Sequence, residues 1–474
     1  MFDQTFSAKN IEVIFNVENR KGHVDLSRMP QPYRDVVAEV KACRTDLKQF
    51  STKKRKDWSD AEHQDYEQKK EQLKQLLEKK DEVLQRIFEE IEVNINKPSF
   101  SFLLTAYDYG KQCFTIDGSD WKQFYAMKIL QRNLARLFNV EMPNRHTVMV
   151  NLKLLLNTKM PFYIIRTDVK SFFESIPHDE LFRLVERNSM LNTKTKSMVK
   201  KVFLDYEHQK DTARVPAGQG VPRGIGISSP LSEIYMNPLD KQIRERQEVI
   251  FYARYVDDIF IVLSSLGAEK SLNDYYNSLQ ATFLAKGLTL QPIDSAKCKL
   301  VSEYGNTNAQ AKSVDLTYLG YHLYMTKTKG LVTTSFGLSD TRKNKLKERI
   351  DHIFSHFANM VKVSPSQARR DLQDGLNLIS GNIRLSKAKS GVKVGFYYNN
   401  DLLDRDADFA EIQNYLNSKT PSIPANLFAN PADKTKYEAR LTNIIQGIDF
   451  KDRWTQHKMF DLGLERVKSI ERWL

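Results

Sequence analysis

The stretch FYARYVDDIFIVLSS (residues 251–265) sets two adjacent carboxylates, Asp257 and Asp258, between two short apolar and aromatic runs. Each run is too short for a helix and rich in Ile, Val, Phe and Tyr. That predicts two strands with the acidic pair at the turn between them. An Asp-Asp turn by itself is ordinary, because Asp bonds its own backbone well in turns. Bare carboxylates at the tip of an otherwise apolar hairpin still need a reason, and the flanking sequence supplies one.

Upstream lies the glycine-rich segment AGQGVPRGIGISSPLSEIY (residues 217–235). Gly218, Gly220, Gly224 and Gly226 let backbone come close to a bulky ligand. Ser228 or Ser229 is placed to cap a helix starting at Pro230–Leu231, with Asp240 further along it. Farther upstream, PFYIIRTDVKSFFESIPHDEL (residues 161–181) predicts a strand with Asp168 near its C-terminal end. A carboxylate there is costly unless it is paired or binds a cation. Phe172 and Phe173 follow four and five residues later, and Pro177 suits the first turn of a helix. Downstream, residues 268–286 predict a helix. KGLTLQPIDSAKCKL (residues 286–300) predicts a strand-like return carrying Lys297 and Lys299, and LTYLGYHLYM (residues 316–325) a hairpin bent at Gly320.

The remainder frames this centre. IEVIF (residues 11–15) reads as a short strand. Residues 34–95 are charge-dense and read as a helical hairpin broken near residues 53–58, with Ser59 and Glu62 at capping-box spacing. The hairpin is a solvated element docked on the core, or an arm for RNA or a partner, with the basic run at 53–56 as the support for the second reading. Residues 120–138 predict an amphipathic helix with Arg132, Arg136 and Arg145 around its end, and arginines can hold phosphates bidentately. From Asp340 the chain is helical and basic. Residues 383–400 interleave basic and aromatic side chains as backbone contact plus base stacking requires. Residues 421–431 read as a linker and 434–474 as two helices.

The 474 residues suffice for about two to four domain-sized units. A net charge of +13 and a pI of about 9.3 favour a polyanionic partner. No run of about 18 apolar residues is present, so no membrane span is expected. Asp3 and the lack of a basic-then-apolar order argue against a signal peptide. Cys43, Cys113 and Cys298 are too widely spaced for a zinc site or a disulfide framework, which makes a reducing, cytoplasmic location the default.

A strand-end Asp, a glycine loop and an Asp-Asp hairpin, in that order, resemble a reverse transcriptase. DVKSFF (168–173) resembles the family's first catalytic motif. VPRGIGISSPLSEIY (221–235) resembles its template- and nucleotide-positioning motif, and YVDD (255–258) its catalytic hairpin. LTLQPIDSAK (288–297) and LTYLGYHL (316–323) resemble the two motifs that follow. The likeness covers roughly residues 120–330, with a weaker extension to about 400. It implies an α+β right-hand polymerase: fingers and palm over 96–334, a helical basic thumb over 335–420, an N-terminal segment with the helical hairpin over 1–95, and a C-terminal helical extension over 421–474.

The resemblance also implies the chemistry. Two divalent cations, Mg²⁺ with Mn²⁺ as the alternative, neutralise charge on the attacking hydroxyl, the α-phosphate and the departing pyrophosphate. Asp168 and Asp257 are the bridging ligands, the Val169 carbonyl is a further ligand, and Asp258 shapes the site. Phe173 is at the sugar-gate position, where a bulky ring clashes with a ribose 2′-OH. Lys297 is the candidate proton donor or phosphate contact, with Lys299 equally near. Phe172, Gly224 and Arg145 complete the expected nucleotide-binding set. Arg223 stands where the family usually has Gln, which hints at a restricted template or product.

Within the family, FFESIPHDEL, the SEIY helix and VKVGFYYNNDLL resemble the defence-associated (antiphage and abortive-infection) group. That implies a dedicated noncoding RNA template, a DNA product, dNTP as substrate, and a homo-oligomer or a second defence protein as partner. A retron-type enzyme is the next reading, although Val-Thr-Gly and Asn-Ala-x-x-His are missing. No maturase or endonuclease extension of a group II intron enzyme is visible. A template-independent or protein-primed transferase on the same fold is the main functional alternative. A nucleic-acid-binding module with a dead site is disfavoured by the intact aspartates.

Overall fold

The computed structural model describes residues 2–21, 24, 29–50, 55, 58–141, 144–306, 314–384 and 393–474. Three of the four basic residues at 53–56, and residues 385–392 of the basic-aromatic stretch, lie outside them. The chain forms two compact units, each discontinuous in sequence. Among the described residues no helix is long and apolar enough to cross a membrane, and Cys43, Cys113 and Cys298 are buried free thiols.

The first unit comprises Met1–Met142, Lys170–Lys241 and Ala285–Leu288. It opens with α1 (Ala8–Lys21), where a strand was expected over residues 11–15. The buried set Ala8, Ile11, Ile14, Phe15 and Glu18 recurs every three to four residues, so helical periodicity overrides the local β-branched composition. The expected helical hairpin is α2 (Gln31–Gln49) and α3 (Asp60–Asn96). Ser59 and Glu62 close the capping box, and Leu84, Phe88 and Ile91 face inward. A two-stranded hairpin, β1 (Leu104–Asp108) and β2 (Gln112–Ile116), precedes α4 (Trp121–Leu137), which buries Met127, Ile129 and Leu134. The short α6 (Phe172–Ser175), then α7 (His178–Arg187) and α8 (Thr193–Gln209), lead to the glycine loop. There α9 (Ser228–Arg244) starts two residues earlier than expected, and the Ser228 hydroxyl bonds the carbonyls of Pro222 and Ile225 instead of capping an amide.

The second unit comprises Pro143–Val169, Gln242–Leu284 and Thr289–Leu474. Its main sheet is antiparallel, in the order β4 (Val249–Tyr255), β5 (Asp258–Leu263), β3 (Phe162–Asp168), β6 (Lys299–Tyr304). β5 is central, and Ile259 to Leu263 are all fully buried, so its sequence is a continuous apolar run. Burying each such side chain contributes about 1.5–3 kcal/mol. The sheet packs with α5 (Arg145–Leu156), α10 (Leu272–Leu284), the meander β7 (Val314–Tyr318), β8 (Tyr321–Thr328), β9 (Leu331–Leu338), and the helices α11 (Asp340–Met360) and α12 (Pro365–Ser380).

The C-terminal part of this unit contains β10 (Asn382–Arg384), β11 (Lys393–Gly395), α13 (Phe396–Asn399) and α14 (Asp406–Asn417). The two helices expected over 434–474 are in fact α15 (Pro431–Gln446), α16 (Phe450–Thr455) and α17 (Leu464–Glu471). The strand β12 (Met459–Phe460) runs parallel to β10.

Candidate active site

In the second unit the hairpin turn consists of Val256 and Asp257, and Asp258 is the first residue of β5, opposite Tyr255. Val256 sits at φ 60°, an uncommon conformation for a β-branched residue that stores backbone strain at this turn. Asp168, the last residue of β3, is the direct cross-strand partner of Asp258. The Val169 amide donates to the Asp257 carbonyl at 3.0 Å, which locks the end of β3 onto the turn. Backbone pairing alone thus gathers the three aspartates at one end of two adjacent strands.

The surrounding polar groups are specific. Asp168 is buried, and its carboxylate accepts from Lys297 Nζ at 3.3 Å on both oxygens and from Gln291 Nε2 at 3.0 Å. The Gln291 amide also donates to the Asp168 carbonyl at 2.9 Å. Arg166 lies two residues back on the same strand face. It donates to Asp258 Oδ1 at 2.9 Å and to the Lys297 carbonyl at 2.7 Å. Beneath, the Thr167 and Tyr276 hydroxyls meet at 2.9 Å. Burial pushes the Asp258 carboxyl up from the ordinary carboxylate value. Arg166 and Lys297 oppose that push, and the charges of Asp257 and Asp168 add to it.

The donor set is all oxygen, which suits a hard divalent cation. Both oxygens of Asp168 converge on one cationic atom, Nζ of Lys297, which stands in for such an ion. No group of three His, Cys, Asp or Glu side chains among the described residues is already drawn around one point. Mg²⁺ typically takes one or two protein carboxylates and completes its shell with phosphate and water, so the residues present fit it.

In the first unit the expected gate and loop residues come together. Phe173 lies under the Arg223 guanidinium, 4.8 Å from its carbon to the ring centroid. Arg223 Nη2 donates to Glu174 Oε1 at 3.2 Å. The Phe173 carbonyl accepts from the Val221 amide at 2.7 Å, and the Arg223 carbonyl from the Phe114 amide at 2.7 Å. Gly224, at φ 101°, passes so close to the Phe114 carbonyl that a Cβ would lie 2.6 Å from its oxygen. Only glycine lets the loop press onto the β1–β2 hairpin in this way. Gly110, Lys111, Ser171, Glu174, Tyr206 and Arg223 are among the residues lining a cavity of about 230 Å³ here.

Two expected site residues lie elsewhere in role or place. Phe172 is 1% exposed and packs against the Phe173 ring at 5.3 Å, so it supports that ring and presents no surface of its own. Arg145 opens α5 and stacks on Tyr321 at 4.7 Å, with Arg342 on the same ring. Between the two lysines left open, Lys297 reaches Asp168, whereas Lys299 is exposed in β6 opposite Arg166. Sequence reasoning missed Arg166, Gln291 and Glu174. Of these, Arg166 carried a signal, its two-residue spacing from Asp168.

No curated protein sequence matches the chain. Among solved structures, apo telomerase from Candida tropicalis is similar over 60% of this chain and 58% of that one, at 14% identity and a TM-score of 0.35. Telomerase from Candida albicans in complex with a fragment of telomeric RNA is similar over 81% and 64%, at 13% identity and a TM-score of 0.32. The Candida tropicalis form truncated from its C-terminal domain is similar over 51% and 56%, at 14% and 0.32. The chain thus spans between 56% and 64% of the length of these proteins. The sequence profile of the reverse transcriptase (RNA-dependent DNA polymerase) family matches residues 82–323, more than half of the 474. That match takes in all three aspartates, the glycine loop and Lys297, and the chain belongs to the reverse transcriptase family.

Proposed function

We propose that this protein is an RNA-directed DNA polymerase that adds dNTPs to a 3′ end on a dedicated noncoding RNA template in antiphage defence. The observation that carries the catalytic part is the pairing of Asp168 with Asp258 across β3 and β5, with Asp257 in the adjoining turn. The defence role rests on the sequence resemblance alone.

Two bound divalent cations supply charge neutralisation for phosphoryl transfer. Asp168 and Asp257, with the Val169 carbonyl, would hold them. Arg166 fixes the Asp258 carboxylate, and Gln291 fixes that of Asp168, so neither must reorganise when substrate arrives. Lys297 gives up Asp168 and turns to the triphosphate, where it donates a proton to the departing pyrophosphate. Phe173 excludes a ribose 2′-OH, and Arg223 bears on that ring.

The test is incorporation of labelled dNTP by purified protein with Mg²⁺, with and without co-purifying RNA. Asp257→Ala with Asp258→Ala lowers incorporation at least about a thousandfold, or about 4 kcal/mol of barrier. Survival of activity in that variant removes the metal assignment, and incorporation without RNA removes the templated reading in favour of a template-independent transferase. Sequencing of the bound RNA decides the template: one recurrent species supports a dedicated RNA, and a random sample of transcripts overturns it.

A further inference from the structure

Helix α11 carries two basic stripes with different surroundings. Lys343 and Lys347 turn towards α14 and share Glu411, at 3.0 and 2.6 Å. Arg342, Lys345 and Arg349, spaced by three, four and seven, share another face. With Arg145 from α5 they line a cavity of about 300 Å³ whose lining contains no carboxylate among the described residues. Its apolar wall includes Leu378 and Phe396.

The cavity is built around two guanidinium groups. Arg145 and Arg342 both lie over the Tyr321 ring, at 4.7 and 5.4 Å, and both donate to the Asn399 carbonyl at 3.1 Å. Arg145 Nε donates to the Leu319 carbonyl at 2.8 Å, and its Nη2 is buried without a hydrogen-bond partner. Gly320, at φ 78°, leaves the space the Arg342 guanidinium fills, since a Cβ there would collide with it. Asp401 is engaged by the Tyr321 hydroxyl at 3.2 Å and by His146 at 2.7 Å. Arg349 pairs with Glu471 at 2.5 Å, and Lys345 makes no ion pair among the described residues. Burial first, and the neighbouring Arg145 charge second, pull the Arg342 guanidinium down to about 10.

We propose that this cavity binds the phosphorylated end of a nucleotide, with the phosphoryl group on Arg145, Arg342 and Lys345 and the nucleoside against Leu378 and Phe396. An arginine pair presents the planar donors that phosphate oxygens accept, and an apolar wall suits a base or sugar. The same chemistry is offered by a free nucleoside triphosphate and by the 5′ end of an RNA strand. The cavity shares no lining residue with the aspartate cluster, and the inference stands without the polymerase assignment.

The experiment uses the full chain stripped of nucleic acid, and two short RNAs of one sequence, one with a 5′-triphosphate and one with a 5′-hydroxyl. The triphosphate form binds at least about tenfold more tightly by fluorescence anisotropy. Lys345→Gln with Arg349→Gln erases that preference, Arg145→Gln weakens it, and Lys343→Gln on the partnered stripe preserves it. Melting midpoints within a few degrees of the parent identify the folded variants, and Lys345→Gln alone serves if the double variant melts early. Displacement of the RNA by ATP identifies a free nucleotide as a ligand, and resistance to ATP identifies the strand end. Equal affinity for the two RNAs overturns the proposal, as does a preference that survives both Lys345→Gln with Arg349→Gln and Arg145→Gln.

Discussion

At the end of β3 the anion is fixed and its cation is loose. The Asp168 side chain is 8% exposed, and that of its partner Lys297 is 59% exposed. In the glycine loop both charges are held: the Arg223 and Glu174 side chains are 30% and 22% exposed, and the guanidinium also rests on the Phe173 ring. An ammonium that already lies in solvent gives up little when it leaves its partner, because its charge stays hydrated. A guanidinium with a ring on one side and a carboxylate on another is anchored by two interactions at once, and the ring contact alone contributes about 0.5–2 kcal/mol. The first arrangement suits a cation that must be replaced during the reaction, the second a side chain that must stay where it is.

The exchange idea is broken most directly at Lys297. If the lysine both occupies the ion position and later donates a proton, Lys297→Gln has two opposite effects. The Mg²⁺ concentration for half-maximal rate falls, because a competitor for Asp168 is gone. The rate at saturating Mg²⁺ falls roughly a hundredfold, because the proton donor is gone. A rate that rises at every Mg²⁺ concentration would leave the lysine as a plug alone, and an unchanged Mg²⁺ requirement would show that it never competes.

The anchored pair is probed by substrate discrimination. With Arg223→Gln the Phe173 ring loses its cation, and the preference for dNTP over rNTP falls about five- to tenfold while dNTP turnover changes less. Glu174→Gln gives a smaller loss, because the guanidinium keeps its ring contact. Arg223→Lys does not restore the parent value, since an ammonium lacks the planar face that lies over the ring. A discrimination ratio that stays constant across the three variants would return Arg223 to template contact.

The difference between the two sites also explains what the sequence disclosed. The aspartate cluster is made by strand pairing, and apolar runs such as IFIVL and FYII declare strands plainly. The Arg166–Asp168 spacing even places the Asp258 partner on the right face. The choice of Lys297 over Lys299 was not legible, because it depends on where the return loop ends and β6 begins. The Arg223–Glu174 contact joins residues 49 apart through a glycine loop, where no periodicity carries information. The misread residues 11–15 show the same limit at short range. Four β-branched or aromatic residues out of five look like a strand until the buried set is followed over the fourteen residues of α1.

The smallest expected effect concerns what holds the glycine loop, and it follows from His178. Its Nε2 meets the Gly220 carbonyl at 2.6 Å, and its backbone amide donates to the Gly218 carbonyl at 2.9 Å. Its ring packs edge-on against Phe203 at 4.8 Å. A carbonyl needs a donor, so the ring carries a proton on Nε2, while Nδ1 faces the Glu207 carboxylate at 3.3 Å. Burial pulls the His178 imidazole below its usual value, more strongly than the Gly220 bond and Glu207 raise it. In the unfolded chain the ring titrates near the ordinary value of about 6.5. As pH falls through that value the unfolded state takes up a proton that the folded state refuses, and stability drops until the lower folded value is reached. The melting midpoint of the parent therefore falls faster between pH 7 and pH 5 than that of His178→Gln, which keeps a donor for Gly220 but cannot titrate. The dNTP preference of the parent falls over the same interval, because the loop that carries Arg223 loosens with its anchor. Parallel melting curves for the two proteins would place the loop's anchorage elsewhere, in its backbone bonds to residues 173–178.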